Sequence, residues 1–311
     1  MNYSHSALYP VGPQSGHIYN LWWFLFWLTL IVFVLTMGFL ISGIFRRAQP
    51  AGEGNRSVVR GVVAASGLTV VALLAVLVIS ISTGSILSAR PTQDVLSIDV
   101  IGHQWWWEVI YEDSVPHNTM TTANEIHVPV GKPIIVKTTS HDVIHSFFIP
   151  NLYGKIDSIP DHVNATWFRA DHPGTYRGEC AEFCGYQHAH MQMLIIAEPQ
   201  DKFEAWLNQQ RQPAATPSND QELRGEQVFI TSPCVLCHTI RGTDAAGQEG
   251  PDLTHVGSRL TLAAATISNT PGHLGGWITD SQHIKPGNHM PPINIRAEDM
   301  QPLLAYLESL K

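Results

Sequence analysis

The sequence predicts a membrane-anchored, multidomain protein: a two-helix transmembrane hairpin, an all-β sandwich, and a separate small C-terminal domain. Three observations predict it. Only 14% of the 311 residues are charged, against about 25% in soluble domains, so part of the chain belongs in lipid. Two long apolar stretches lie in the first ninety residues, and beyond them the apolar runs become short and alternating. A polar, Pro-containing stretch then separates this region from a tail with a motif of its own. A chain of this length holds about two domains beyond any anchor. The formal net charge of −8 makes nucleic acid an unexpected partner.

Residues 1–20 read as a polar tail without Lys or Arg. Leu21 to Phe45 is almost wholly apolar, and about 20 such residues cross a bilayer. A cleaved leader has a positive start and a shorter apolar core, so this stretch reads as a retained helix. Trp22, Trp23 and Trp27 open it, as an interfacial belt does. Arg46, Arg47, Arg56 and Arg60 crowd the following loop and place it in the cytoplasm. A second uncharged span, 61–86, returns the chain to the outer side. The anchor region is therefore 1–90.

From Pro91 the runs Val95–Ile101, Glu125–Val130, Ile134–Thr138, Ala165–Arg169 and Met193–Ala197 read as strands. Gly-Lys-Pro, Asn-Leu-Tyr-Gly and His-Pro-Gly supply turns between some of them. Short strands with frequent turns predict a sandwich over 91–210, closed by a helix near Pro199–Leu207. Residues 211–219, with two Pro and small polar side chains, read as a linker. The last domain is 220–311, with a helix from Arg296 to Leu310. A short linker confines it at an effective concentration on the order of millimolar, so its encounters with the sandwich are expected to be intramolecular collisions.

The chemistry concentrates in Cys180-Ala-Glu-Phe-Cys184-Gly-Tyr-Gln-His188-Ala-His-Met191. Thiolate and thioether are soft ligands and imidazole is borderline, a set that suits copper, whereas structural zinc rarely takes Met. A straight strand cannot aim all these groups at one point. A folded loop can, and Gly185 favours the reversal. His190 competes with His188, and a Cys180–Cys184 disulfide is the bland alternative, though it explains neither His188 nor Met191. Earlier, Gly102-His-Gln-Trp105-Trp106-Trp107 places three Trp in succession. Side chains alternate on a strand, so at least one should leave the core, and packing alone is an equal account of any one of them.

Cys234-Val-Leu-Cys237-His238 is the c-type haem attachment pattern. Two thioethers fix the porphyrin and His238 takes the iron. A thioredoxin-like pair would lack the adjacent His and would sit in a βαβ unit. The sixth ligand should be Met or His. Met290, followed by Pro291 and Pro292, is the choice, with His289 and Met300 as competitors.

The Cys-x-Glu-x-Cys-x-x-x-His-x-x-Met loop, with Asp142-Val-Ile-His145-Ser146 before it, resembles the binuclear copper (CuA) loop of the cytochrome c oxidase subunit II family. The whole chain resembles the caa type, with its fused cytochrome c. The resemblance implies a cupredoxin-like sandwich, an all-α cytochrome c domain, and copper ligands Cys180, Cys184, His145, His188, Met191 and the carbonyl of Glu182. His141 competes with His145. It further implies a magnesium, shared with subunit I, at the Glu182 carboxylate, and electron entry at Trp105. Lys155–Pro160 resembles a segment near subunit I, with Asp157 equally readable as a turn residue. The expected role is then passage of electrons from a cytochrome c or membrane-complex donor through haem c and CuA to haem a of subunit I, which reduces oxygen. The expected partners are subunit I, other oxidase subunits and lipid. The location is the bacterial inner membrane, with both metal domains on the periplasmic side. At the start of the second span the family usually has a Glu. This chain has Arg56-Ser-Val-Val-Arg60, with Glu53 earlier. A CuA-bearing subunit of a nitric oxide reductase and a stand-alone membrane electron carrier are the alternatives.

Overall fold

Two helices of 33 residues each, α1 (Pro13–Phe45) and α2 (Arg56–Ser88), form the anchor. The computed structural model describes residues 4–45, 56–113, 115 and 118–311. Residues 16–90 form one unit, and the N-terminal segment to Ser15 together with 91–311 forms the other. At 1.5 Å per residue each helix is about 50 Å long, more than the ~30 Å hydrocarbon core. Apolar side chains face outward along both, such as Phe39, Ile44, Val63 and Leu68. A soluble monomer rarely exposes so continuous an apolar surface, and lipid is the solvent that accepts it. The helices start before the expected spans because His17, Tyr19 and Asn20 extend α1 in polar turns, and Arg56 and Arg60 do the same for α2. Hydropathy marks only the apolar part of such a helix. Arg46, Arg47 and Glu53 lie outside the described residues.

The sandwich has ten strands: β1 (Leu96–His103), β2 (Trp106–Tyr111), β3 (Met120–Ala123), β4 (Glu125–Pro129), β5 (Ile134–Ser140), β6 (His145–Ile149), β7 (Tyr153–Ser158), β8 (Asn164–Phe168), β9 (Gly174–Cys180) and β10 (Gln192–Glu198). One sheet runs β3-β2-β1-β5-β8 and the other β4-β10-β9-β6-β7. The pairs β1/β5 and β4/β10 are parallel, so the fold is a cupredoxin-like sandwich rather than a meander. Alternation sets the faces. Ile134, Val136 and Thr138 point inward along β5, meeting Ile98, Val109, Phe147 and Phe168 in one core. Each such large apolar side chain contributes about 1.5–3 kcal/mol on burial. Helix α3 (Gln200–Gln210) closes this core with Phe203.

The expected polar tail is in fact seated on the sandwich. Val11 is buried, its N–H donates to Asn151 O at 2.8 Å, and its carbonyl accepts from Asp171 N at 2.8 Å. The apolar Val11 and the polar Ser15, whose hydroxyl donates to Asn151 O, are too few to stand out in a hydropathy reading.

The C-terminal domain is mainly helical: α4 (Asp220–Thr231), α5 (Pro271–Thr279), α6 (Ser281–Ile284) and α7 (Ala297–Ser309), with one small hairpin, β11 (Thr261–Leu262) and β12 (Ile267–Ser268). Asn219 caps α4 by accepting from Glu222 N at 3.0 Å. Phe229, Leu303, Tyr306 and Leu307 form the heart of a second core.

Residues 211–219 are not a free tether, which corrects the collisional picture. Arg211 donates to Asn118 O and pairs with Asp113 at 2.6 Å. Ala214 N donates to Arg241 O at 2.8 Å, and His255 Nε2 lies 3.0 Å from Gln212 O. The helical domain is packed on the sandwich. Pro and small residues look like a flexible linker in sequence, but here their backbone groups are taken up by both neighbours.

Candidate functional site

Strands β6 and β9 are neighbours, and that adjacency builds the site. β6 begins at His145 and β9 ends at Cys180. The loop after Cys180 returns to the same point, where Cys180 N donates to Met191 O at 2.9 Å. Its reversal uses Gly185 at φ +114°, a region that other residues rarely adopt. Cys180, Cys184, Met191 and His145 are all buried.

The donor atoms converge. Cys180 Sγ and Cys184 Sγ are 3.8 Å apart, so the thiols are free rather than bonded. Cys180 Sγ lies 3.8 Å from His145 Nδ1 and 3.2 Å from Glu182 O. Cys184 Sγ lies 3.7 Å from His188 Nδ1 and 3.8 Å from Met191 Sδ. Tetrahedral donors about 2.3 Å from a metal are themselves about 3.8 Å apart, so these separations fit metal ligation without rearrangement. The competing imidazoles stand elsewhere. His141 is exposed and stacks on His103, while His190 Nδ1 is 2.8 Å from Gln187 Oε1.

Second partners fix the donors. Asp142 Oδ1 is 2.7 Å from His145 Nε2. With the proton on Nε2, Nδ1 presents its lone pair to the thiols, the carboxylate–histidine arrangement common around metals. Burial alone would raise the Asp142 carboxyl, but hydrogen bonds from His145, Val143 N and Gln104 N bring it down to about 2. The neighbouring Cys184 thiol holds Cys180 down at about 3, against burial and with help from His145, while Cys180 and burial push Cys184 up. Gly102 is needed behind the ring, since a Cβ there would meet His145 Cδ2 at 2.6 Å. Sequence reading missed Asp142 and Gly102 as supports, although both stand inside the quoted motifs.

Of the three successive Trp, Trp107 is fully buried, Trp106 is half-exposed against His103, and Trp105 is 6% exposed. Trp105 Nε1 donates to Cys184 O at 3.0 Å, and Gln104 Nε2 donates to the same oxygen at 2.7 Å. The outer side of Trp105 meets the helical domain, where its ring lies 5.3 Å from that of His289. Glu182 keeps its carboxylate half-exposed, 3.5 Å from Lys155 Nζ, and Asp157 pairs across to Ser146 on β6.

In the helical domain Cys234 and Cys237 are unbonded and half-buried. His238 Nδ1 is 2.8 Å from Pro251 O, which leaves Nε2 as the free acceptor. Burial holds His238 below its ordinary value, so the ring is neutral as a ligand requires. Val235, Leu253, Ile267, Ile293 and Ile295 flank the core only partly covered, a surface that fits an apolar porphyrin. Met290 is half-exposed, and its backbone is pinned: its carbonyl accepts from Ser281 Oγ and Gln282 Nε2, and its N–H donates to Asn288 Oδ1. Met300 packs against the core from α7.

Fold and donor set together define a membrane-anchored electron-transfer protein with a copper-type loop and a haem-attachment domain. Residues 96–198 match the family model described as cytochrome c oxidase subunit II, periplasmic domain, and residues 223–311 match cytochrome c. Cytochrome c oxidase subunit 2 of Alkalihalophilus pseudofirmus is 35% identical over 98% of this chain and 91% of that protein. The Bacillus subtilis protein of the same name is 29% identical over 71% of this chain, which spans only 64% of that relative. The crystal structure of the periplasmic domain of subunit II of cytochrome oxidase from Bradyrhizobium japonicum matches with 34% identity and a TM-score of 0.37, covering 40% of this chain and 97% of that one. The chain belongs to the cytochrome c oxidase subunit II family, carrying a fused C-terminal cytochrome c domain. These two domains imply copper and haem c as its cofactors.

Proposed function

We propose that this chain is the electron-entry subunit of a haem–copper oxygen reductase in a bacterial inner membrane, with both metal domains on the periplasmic side. It takes electrons from a cytochrome c or membrane-complex donor at haem c and delivers them by way of CuA to haem a of subunit I. The observation that carries this reading is the pair of free thiols 3.8 Å apart, each with its own imidazole nitrogen at 3.7 or 3.8 Å, in a chain that also carries Cys234-Val-Leu-Cys237-His238. Cys180, Cys184, His145, His188, Met191 and the Glu182 carbonyl would hold the copper pair. Cys234, Cys237, His238 and Met290 would hold the haem. When bound, the two groups supply reversible one-electron chemistry, and the chain supplies a dry, fixed setting that keeps reorganisation small. Asp142 holds His145 in one tautomer, and Gln104 and Trp105 hold the Cys184 carbonyl. The half-exposed Glu182 carboxylate, turned to solvent, suits a hard cation such as magnesium at a partner interface.

The whole complex, extracted in mild detergent, should hold two copper atoms in this chain and one covalent haem c, and should consume oxygen with reduced cytochrome c. Zinc in place of copper would overturn the copper assignment. Consumption of nitric oxide but not oxygen would favour the reductase alternative, and a chain purified as a stable monomer would favour a stand-alone carrier.

Trp105 is proposed as the point of passage into the copper loop, since it lies between His289 and the Cys184 carbonyl. Trp105→Phe keeps an aromatic ring and drops the indole N–H, while Gln104 still holds the carbonyl. Haem-to-copper transfer, followed after flash reduction of the haem, should slow, because the indole N–H contact to the Cys184 carbonyl is lost from the route. Copper content should stay unchanged. A normal rate would remove this indole from the route.

A further inference from the structure

The contact between the sandwich and the helical domain contains two buried ionisable side chains, and they do not pair with each other. Lys285, 3% exposed, comes from the helical domain. Its ammonium donates to Trp105 O at 3.0 Å, His190 O at 3.0 Å and Ala263 O at 3.2 Å. Burial brings its pKa down to about 7, and three carbonyls match the three donors of the protonated form. Among the described residues no carboxylate pairs with it. Glu125, 4% exposed, comes from β4 of the sandwich. Its carboxylate accepts from Leu260 N at 3.1 Å, Thr261 N at 2.9 Å and Thr261 Oγ1 at 3.0 Å. Lys285 thus reaches two carbonyls of the sandwich and one of its own domain, and Glu125 reaches two amides and a hydroxyl of the helical domain.

We infer that Lys285 and Glu125 are reciprocal clamps that seat the haem domain over Trp105, and that Lys285 is thereby a positioning residue for transfer into the copper loop. The choice of acceptors supports this. Trp105 faces the haem domain, and His190 immediately precedes Met191 in the copper loop. Lys285 also begins the segment that carries Met290, so a single side chain ties the proposed haem-ligand loop to the proposed copper-ligand loop. Smaller contacts follow the same seam: Gln187 Nε2 donates to Pro286 O at 2.6 Å, and Gln192 N to Ala264 O at 3.3 Å. Apolar packing would hold the domains together but tolerate sliding. A charge enclosed by fixed carbonyls is satisfied in one register, because any shift leaves it buried without partners.

The inference rests on the haem and copper centres proposed above, and the test separates the two claims. In the intact complex, haem c is reduced by a flash and the copper band is followed as glycerol raises the viscosity. The unmutated protein should transfer at a rate independent of viscosity, because no docking step precedes transfer. Lys285→Met, similar in length but without donors, should lower the seated fraction, and with it the observed transfer rate, by about 10- to 100-fold, because carbonyls left buried without a partner disfavour the seated state. Transfer should become viscosity-dependent, with both optical spectra unchanged. Amide hydrogen exchange at Leu260 and Thr261, which Lys285 does not touch, should rise in the same variant as the domain unseats. Glu125→Gln, placed away from the copper loop, should also make transfer viscosity-dependent. Unmutated rates in both variants, with both centres present, would overturn the clamps. If Lys285→Met loses copper, Glu125→Gln decides: viscosity-dependent transfer supports the clamps and an unmutated rate overturns them. Absence of either centre from the unmutated complex would overturn the underlying reading instead.

Discussion

Cys184→Ser should abolish the mixed-valence copper absorption entirely and leave the haem c spectrum unchanged. Cys184 Sγ is the hub of the donor set, within 3.8 Å of Cys180 Sγ, His188 Nδ1 and Met191 Sδ. A serine oxygen at that position is hard and protonated at neutral pH, so it would be a poor substitute for a soft, anionic thiolate toward copper. The backbone should survive the change, because Gln104 and Trp105 bind the Cys184 carbonyl and not its side chain. The haem motif belongs to the second hydrophobic core and contributes nothing to the loop. Metal analysis and a visible spectrum of the purified variant check both halves. A retained copper band would show that Cys184 is not a ligand, and a lost haem band would show that the two sites are structurally coupled.

Met290→Ala should remove the sulfur-to-iron charge-transfer band and lower the haem potential substantially, since axial ligands set haem potentials over a range of about 0.8 V. The thioether sits on a backbone held at both its carbonyl and its N–H, so the loop that carries it is fixed before any metal bond forms. Met300 provides the control. It lies in α7 against the core, and Met300→Ala should cost on the order of 2 kcal/mol in stability while keeping the band. A redox titration of both variants decides. Loss of the band in Met300→Ala alone would reverse the assignment.

The residues proposed to carry chemistry stand out in sequence because their types are scarce and their spacing is short. Four Cys in two motifs, with His and Met beside them, point to two centres without any knowledge of the fold. The sandwich was half legible. β1, β4, β5 and β8 alternate and β10 is a continuous apolar run, and the structure has strands there. β2 and β6 were hidden because bulky aromatics occupy both faces: Trp106 and Trp107 on β2, Phe147 and Phe148 on β6. β7 and β9 were hidden by charges and glycines, such as Lys155, Asp157, Arg177 and Gly178, in strands whose outward faces are polar. The seam between domains was not legible at all. Glu125 and Lys285 are 160 positions apart, and each binds backbone, which has no signature in a sequence. A lone Lys before Pro-Gly reads as a loop residue, and only the folded chain shows it enclosed.

That seam has a consequence for modularity. Both clamping groups make most of their contacts across the seam: Lys285 with Trp105 O and His190 O, Glu125 with Leu260 and Thr261. If the domains part, water reaches Lys285, Glu125 and the carbonyls and amides they served, and each group is solvated where it stands. Neither half is left with a buried, orphaned charge. A chain built this way can gain or lose its appended carrier over evolutionary time without first redesigning the core of either piece, while the joined form still accepts a single alignment.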